Sequence, residues 1–550
     1  MFAQNITRIG CTRTHKKVLL IASSIVPLRY TRHITLFQTV AHYNVVHLPF
    51  LIAFAFVYIL RFFQQRLSSL FALRHVPGPK SSSWVWGEEK ALYYNTPGAL
   101  YLDWHRSYGH VVKFTGAFGH QLLSVTDPHA ISFILGEGAY QFPKPEGVRA
   151  WFRMLLGEGI LWVEGKEAHE KQRRSVGPAL SPQSARNLTP VFYENAAKMV
   201  SQWHRLFDAQ HSDEIGIEMT NWAGRFALDT VGRATLSYDF DCLRGQPHAL
   251  AETLDGLTNH EQSLTSFYMK ALFWLLPSIL HLGKKGQMIR KTRKELGDLA
   301  TDILKDAEAV SDPNSKTLMS LMLRADKATA VVRMDEEQVA AQMRTIISAG
   351  YEPVSATIAW LFFELATNPE WQQAIREEVS TAGDPTFDEL NNAYPLLDAF
   401  FLETLRLHPP VLENHHEAAE TISIPLSEPV AGSGDLHLVI PKGTIISLPV
   451  NVIQKDKLTW GFDADDFRPE RWLHRGTRTS RELLAFSVGP RGCLGRNFAA
   501  AEIKALTVTL LRHFAFSCPH EIEAFQSFVI RPRVKGEGSS SLPLTVRRTL

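Results

Sequence analysis

Cys493 is the residue with the most chemistry to offer. It stands in Phe486-Ser487-Val488-Gly489-Pro490-Arg491-Gly492-Cys493-Leu494-Gly495, just ahead of an apolar-periodic run from Asn497 to Phe514. A thiol at the start of a helix meets unpaired backbone N–H groups and the positive end of the helix dipole. Both favour the thiolate, the form that binds metal, so the position predicts a depressed pKa. Gly489, Gly492 and Gly495 let the backbone curl closely around a sulfur and a flat partner. Arg491 offers charge-assisted hydrogen bonds to an anion beside that partner.

Further charged residues fall at helical spacings. Glu403 and Arg406, in the run Phe401 to Pro410, lie one turn apart and are placed for an ion pair. Arg471 follows in Phe467-Arg468-Pro469-Glu470-Arg471-Trp472. His169 and Arg173 share one helical face, whereas Lys171 and Arg174 point elsewhere, toward a possible acidic partner. In Ala349-Gly350-Tyr351-Glu352-Pro353, the proline cannot donate an N–H to the Ala349 carbonyl, which predicts a kink. Ser355 falls about 200° around a regular helix from Pro353 and Thr357 a full turn further on.

These residues are positioned by a mostly helical chain. Spaced apolar residues predict amphipathic helices at 187–209, 216–238, 291–309, 336–367 and 387–408. Alternating runs at His110–Thr115 and Gln121–Thr126 predict a strand pair. Leu436–Ile440 and Thr444–Val450 flank the turn Pro441-Lys442-Gly443, and the strand texture returns at Phe528–Val534 and Leu542–Val546. The fold class expected is mainly α with small β-sheets (α+β), one large helical domain over residues 81–550.

The 550 residues are 45% hydrophobic and 21% charged with a net charge of +2, which gives no case for nucleic acid binding. The four cysteines lack pairing spacing, which argues for a reducing surrounding. Val45 to Phe63 is almost wholly apolar and, as a helix, spans roughly 28 Å, enough for a transmembrane anchor. Arg61, Arg66 and Arg74 beyond it place the following domain on the cytoplasmic side. Residues 64–80 read as a basic linker ending in the stiff hinge Val76-Pro77-Gly78-Pro79. Residues 1–44 have no assigned role. Their apolar run Val18 to Leu28 is too short to span and resembles a signal segment as much as an anchor.

The cysteine loop resembles the haem-binding loop of the haem-thiolate monooxygenases, the cytochrome P-450 family, and its spelling looks fungal. The resemblance covers residue 76 to the end. It implies a cytochrome P-450 fold around haem b, with Cys493 as axial iron ligand and Phe486, Arg491 and Gly495 in the haem-binding loop. It implies a buried structural network of Glu403, Arg406 and Arg471. It also implies propionate contacts from His169, Arg173 and Arg491. His416 stands where the family usually has arginine, which puts that contact in doubt. Ala349 and Gly350 match the oxygen-binding face, with Glu352 as the neighbouring acid. Pro353 departs from the usual threonine.

The implied activity is insertion of one oxygen atom from O2 into an apolar substrate, in secondary metabolism such as terpenoid formation. The implied partners are NADPH-cytochrome P-450 reductase and cytochrome b5, at the endoplasmic reticulum membrane with the catalytic domain in the cytosol. Pro353 leaves open an isomerase, dehydratase or peroxide-dependent enzyme, or a non-catalytic haem-binding protein. Trp151, Phe152, Leu155, Leu156 and the apolar segment 266–282 match the roof of the family's pocket, and Val411 and Leu412 its floor.

Overall fold

Apolar residues at helical spacing dominate the chain, and helices accordingly form the body, with small sheets at its edges. The computed structural model describes residues 71–244, 248–258, 263–309, 335–380, 383–430, 434–473 and 483–549. The expected membrane span at 45–63, the segment 1–44 and the first residues of the linker lie outside these. Among the described residues one helix, Glu336–Thr367, is long and apolar enough to cross a membrane. Its apolar stretch is 78% buried inside the protein, so it is a core helix.

That 32-residue helix is the axis of the fold. Asp335 starts it with a reciprocal capping box to Gln338. It packs along helix Met219–Val231, while helix Arg496–His513 packs on helix Pro182–Gln210. Phe192, Phe226, Phe362, Phe400 and Phe498 join these elements in the main core. Burying each such ring stabilises by roughly 1.5–3 kcal/mol.

A four-stranded sheet flanks the body in the order Val111–Thr115, Gln121–Val125, Ile445–Pro449, Glu413–Glu417. The first two strands are an antiparallel hairpin, with Val111 opposite Val125. Gln121–Val125 pairs in parallel with Ile445–Pro449, and the fourth strand is antiparallel to the third. A three-stranded sheet sets Pro543–Arg548 between Glu214–Glu218 and Phe514–Ser517. Ile522–Gln526 and Ile530–Val534 form a two-stranded ribbon, and Ile422–Pro425 pairs with His437–Ile440.

Two expectations change. Residues 216–238 are not one helix: strand Glu214–Glu218 precedes Met219–Val231, and a π turn at Gly232–Leu236 ends it. Residues 387–408 split into Phe387–Asn392 and Pro395–Leu407, because Pro395 lacks the N–H that continuation needs and suits a helix start. The stiff Pro-rich hinge is also docked on the domain. Leu73 and Val76 are buried, and the Lys113 N–H donates to the Pro77 carbonyl at 2.8 Å. A Cβ on Gly78 would fall 1.7 Å from the Lys113 oxygen, so that turn needs glycine.

Candidate active site

The cysteine loop is shaped by its own backbone. The Cys493 N–H donates to the Phe486 carbonyl at 2.8 Å, and the Gly492 N–H to the Gly489 carbonyl at 3.0 Å. Gly489 has φ +72°, and a Cβ there would lie 2.0 Å from the Leu135 oxygen. Ser487 also takes a positive φ, an uncommon strain for a non-glycine residue. Gly495 caps helix Arg496–His513 without a side-chain bond.

Cys493 is exposed, yet the protein around it desolvates the thiol and raises its pKa. The N–H groups of Gly495 and Arg496 and the charges of Arg496 and Arg173 pull the other way without winning. The expected depressed pKa is therefore corrected for the free thiol. The thiol is therefore accessible to a ligand while standing among protein groups that disfavour its charge. A bound cation would reverse the balance and hold it as thiolate.

A cationic cluster lies beside the loop. Arg173 Nη1 donates to the Gly492 carbonyl at 2.8 Å. Arg491 pairs with Glu164, lies over the Tyr140 ring, and its buried Nε has no hydrogen-bond partner among the described residues. Lys144 Nζ reaches Glu164 Oε1 at 2.7 Å. His169 Nδ1 meets the Tyr140 hydroxyl at 3.1 Å. His416 Nδ1 donates to the Phe142 carbonyl at 3.0 Å. Burial first, then neighbouring cations, push both imidazoles down to about 4, so both are neutral at pH 7. Lys144 and Arg491 share one carboxylate, Glu164, while Arg173 is held, among the described residues, only by the Gly492 carbonyl, so the corner has cationic donors to offer an anionic ligand. Lys144, Tyr140 and Glu164 were not singled out in the sequence, where no spacing ties them to the loop.

The axis helix supplies a second accessible stretch. Ala349 is exposed and Pro353 half-buried, whereas residues 340–348 and 354–362 are buried. Gly350, half-buried, lets helix Met219–Val231 approach closely: a Cβ there would lie 2.6 Å from Val231 Cγ2. An accessible sulfur held by a glycine-rich loop, a cationic corner beside it and an accessible stretch in a core helix together fit a haem. The sequence profile of cytochrome P-450 matches residues 77–533.

The chain belongs to the cytochrome P-450 family.

Its relatives include cytochrome P-450 monooxygenase claQ of Ampulloclitocybe clavipes, 33% identical over 86% of this chain and 92% of that protein. Cytochrome P-450 monooxygenase 205 of Postia placenta is 32% identical over 86% of this chain and 93% of the relative. This cytochrome P-450 is accordingly an enzyme of the monooxygenase family.

In this cytochrome P-450, Glu403, Arg406 and Arg471 come together, fully or nearly buried. Arg471 Nε donates to Glu403 Oε1 at 2.9 Å, and Trp472 Nε1 to Oε2 at 2.9 Å. On the distal helix two residues have further structural detail. Pro353 lies within one continuous helix, so any bend there does not break it. Glu352 does not stand open beside Ala349: its Oε2 accepts from Arg531 Nη2 at 2.8 Å, both groups being buried. Arg531 was missed in the sequence, although an arginine inside an apolar strand run demands a buried anion. Ser355 and Thr357 hydroxyls donate to the carbonyls of Glu352 and Pro353 at 3.0 and 2.8 Å, which occupies them locally.

Of the roof residues, Leu155 and Leu156 are buried, and Trp151 stacks on Phe528 at 6.0 Å. In the segment 266–282, Phe267, Met269, Ala271 and Leu280 are buried in the core, whereas Tyr268, Leu276 and Leu282 are exposed, so it presents one apolar face inward and another outward. Leu412 is buried and Val411 exposed.

Proposed function

We propose that this enzyme is a membrane-anchored monooxygenase that inserts one atom of O2 into an apolar secondary metabolite, of terpenoid type. Haem b, when bound, supplies the activation of dioxygen. Cys493 would hold its iron, and Arg173, Arg491, His169 and Lys144 would hold its propionates. His416, neutral and turned to the Phe142 carbonyl, contributes no fixed charge to them. Phe486 and Gly495 shape the loop around the sulfur. Glu403, Arg406 and Arg471 hold the chain beneath it. Ala349, exposed on the core helix, would leave room for dioxygen, and Glu352 is the nearest acid on that helix.

The observation that supports this most is the accessible Cys493 beside a cation cluster. NADPH-cytochrome P-450 reductase supplies electrons, with cytochrome b5 as a second donor, and the exposed Lys171 and Arg174 suit such acidic partners. Residues 45–63 anchor the enzyme in the endoplasmic reticulum membrane, residues 64–80 lead out of it, and the catalytic domain faces the cytosol. The exposed apolar side chains between Leu264 and Leu282 suit a substrate that arrives from the bilayer.

The test is incubation of reductase-coupled microsomes with apolar metabolites under labelled dioxygen. One labelled oxygen per product is expected. Cys493→Ala is expected to abolish both turnover and the red-shifted absorption band of the reduced, carbon-monoxide-treated protein. Pro353 favours a second reading, an isomerase, dehydratase or peroxide-dependent enzyme. It predicts product without dioxygen and reductase. A non-catalytic haem carrier predicts the band and no turnover with any donor.

A further inference from the structure

Glu352 shares its cation. Arg531, on strand Ile530–Val534, donates through Nη2 to Glu352 Oε2 at 2.8 Å and through Nη1 to Asp255 Oδ1 at 3.3 Å. The same Asp255 oxygen accepts from the Tyr351 hydroxyl at 2.7 Å. Asp255 belongs to helix Ala249–Thr258, a separate element that packs on helix Gly283–Ala309. Its side chain is 38% exposed, whereas that of Arg531 is 4% and that of Glu352 2%. One guanidinium thus links a buried acid on the core helix to a half-exposed acid on a peripheral helix.

The groups facing the Glu352–Arg531 pair are few. Tyr351 comes from the core helix and Asp255 from the peripheral one. Helix Met219–Val231 offers Gly224, where a Cβ would lie 3.1 Å from the Tyr351 oxygen, and its Asp229 is turned away to the Cys242 and Leu243 N–H groups. Glu523 of the neighbouring strand is held by Arg533.

We infer that Asp255 is a positioning residue: by sharing Arg531 with Glu352 it loosens the grip on the Glu352 carboxylate, so the placement of helix Ala249–Thr258 governs when Glu352 takes up and hands on a proton. With Asp255 near, the guanidinium is divided between two anions, and a like charge disfavours ionised Glu352. With that helix withdrawn, Arg531 neutralises Glu352 alone and keeps it ionised. Thermodynamic reciprocity requires that the state of Glu352 also bias the helix. The inference rests on the monooxygenase reading, and it matters most here because Pro353 has no hydroxyl to hold water.

Two measurements on the full-length, haem-loaded protein test it. The first is the pH profile of product formed per NADPH consumed for Asp255→Asn and Asp255→Glu. Asp255→Asn is expected to lower that ratio several-fold at pH 7.5 and to displace the profile to lower pH, with Asp255→Glu restoring both. An Asp255→Asn profile superposed on wild type overturns the inference. The second is amide hydrogen exchange of residues 249–258. Glu352→Gln leaves Arg531 to Asp255 alone and is expected to slow exchange there at least threefold. Unchanged exchange overturns the inference. This readout needs no turnover. If wild type forms no product, the monooxygenase reading fails while the exchange result still decides the link.

Discussion

The Arg406 guanidinium grips the Glu403 carboxylate with both arms, Nε to Oε2 at 2.9 Å and Nη2 to Oε1 at 2.8 Å, with neither side chain accessible to solvent. The remaining donors of Arg406 reach the carbonyls of Gln454, Ala464 and Asp466 at 2.6–2.9 Å. The pair therefore ties helix Pro395–Leu407 to the irregular chain that leads toward the cysteine loop. Removing either partner strands a buried charge, which costs about 3–5 kcal/mol. Arg406→Ala and Glu403→Ala are each expected to lower the urea midpoint by that equivalent. Arg406→Lys is expected to lower it nearly as far, because an ammonium cannot reproduce the planar fork. A midpoint within error of wild type for Arg406→Lys refutes the geometric part of this account.

How much of this was legible in sequence follows from what each feature needs. Glu403 and Arg406 are one turn apart on one helix, so local spacing reveals them. Arg471 has no spacing that ties it to them and was placed with them by the family resemblance, whereas Trp472, the fourth member, carries no charge to mark it. The helix and strand positions followed from apolar periodicity, except where a proline or a strand-to-helix junction interrupted it. Arg531 and Glu352 are far apart in the chain and meet through tertiary packing, so no spacing rule reaches them. The Cys493 pKa went the other way for a similar reason. The helix start is local, whereas the desolvation that outweighs it comes from the whole surrounding wall.

Pro353 tests how the distal helix tolerates a missing hydrogen bond. A proline inside a helix costs about 3 kcal/mol relative to alanine. Pro353→Ala restores an N–H for the Ala349 carbonyl and is expected to raise the thermal midpoint. Pro353→Thr adds a hydroxyl beside the accessible Ala349. It is expected to increase product per NADPH consumed, and no increase means that the hydroxyl does not limit coupling.

His416 predicts acid sensitivity. Burial holds its folded pKa near about 4, below the ordinary 6.5. Between these values the unfolded chain binds a proton that the folded chain refuses, so stability falls with falling pH across this window. His416→Asn is expected to flatten that part of the profile of urea midpoint against pH. An equally steep profile shows that another group, such as His169 with the same depression, dominates it.

Glu89 predicts the opposite slope. It is buried near the carboxylate of Glu413 and the ammonium of Lys270, and desolvation pushes its pKa up to about 8 from 4.5. Between these values the folded chain keeps a proton that the unfolded chain releases. The stability associated with neutral Glu89 is therefore complete below about pH 4.5 and is lost progressively as pH rises toward 8. Glu89→Gln fixes the neutral form in both states and is expected to remove this decline, leaving the variant relatively more stable at pH 8 than at pH 5 when referred to wild type. The check is the urea midpoint of both proteins across that range. Parallel profiles mean that Glu89 is ionised in the folded protein, held by Lys270 in spite of its burial.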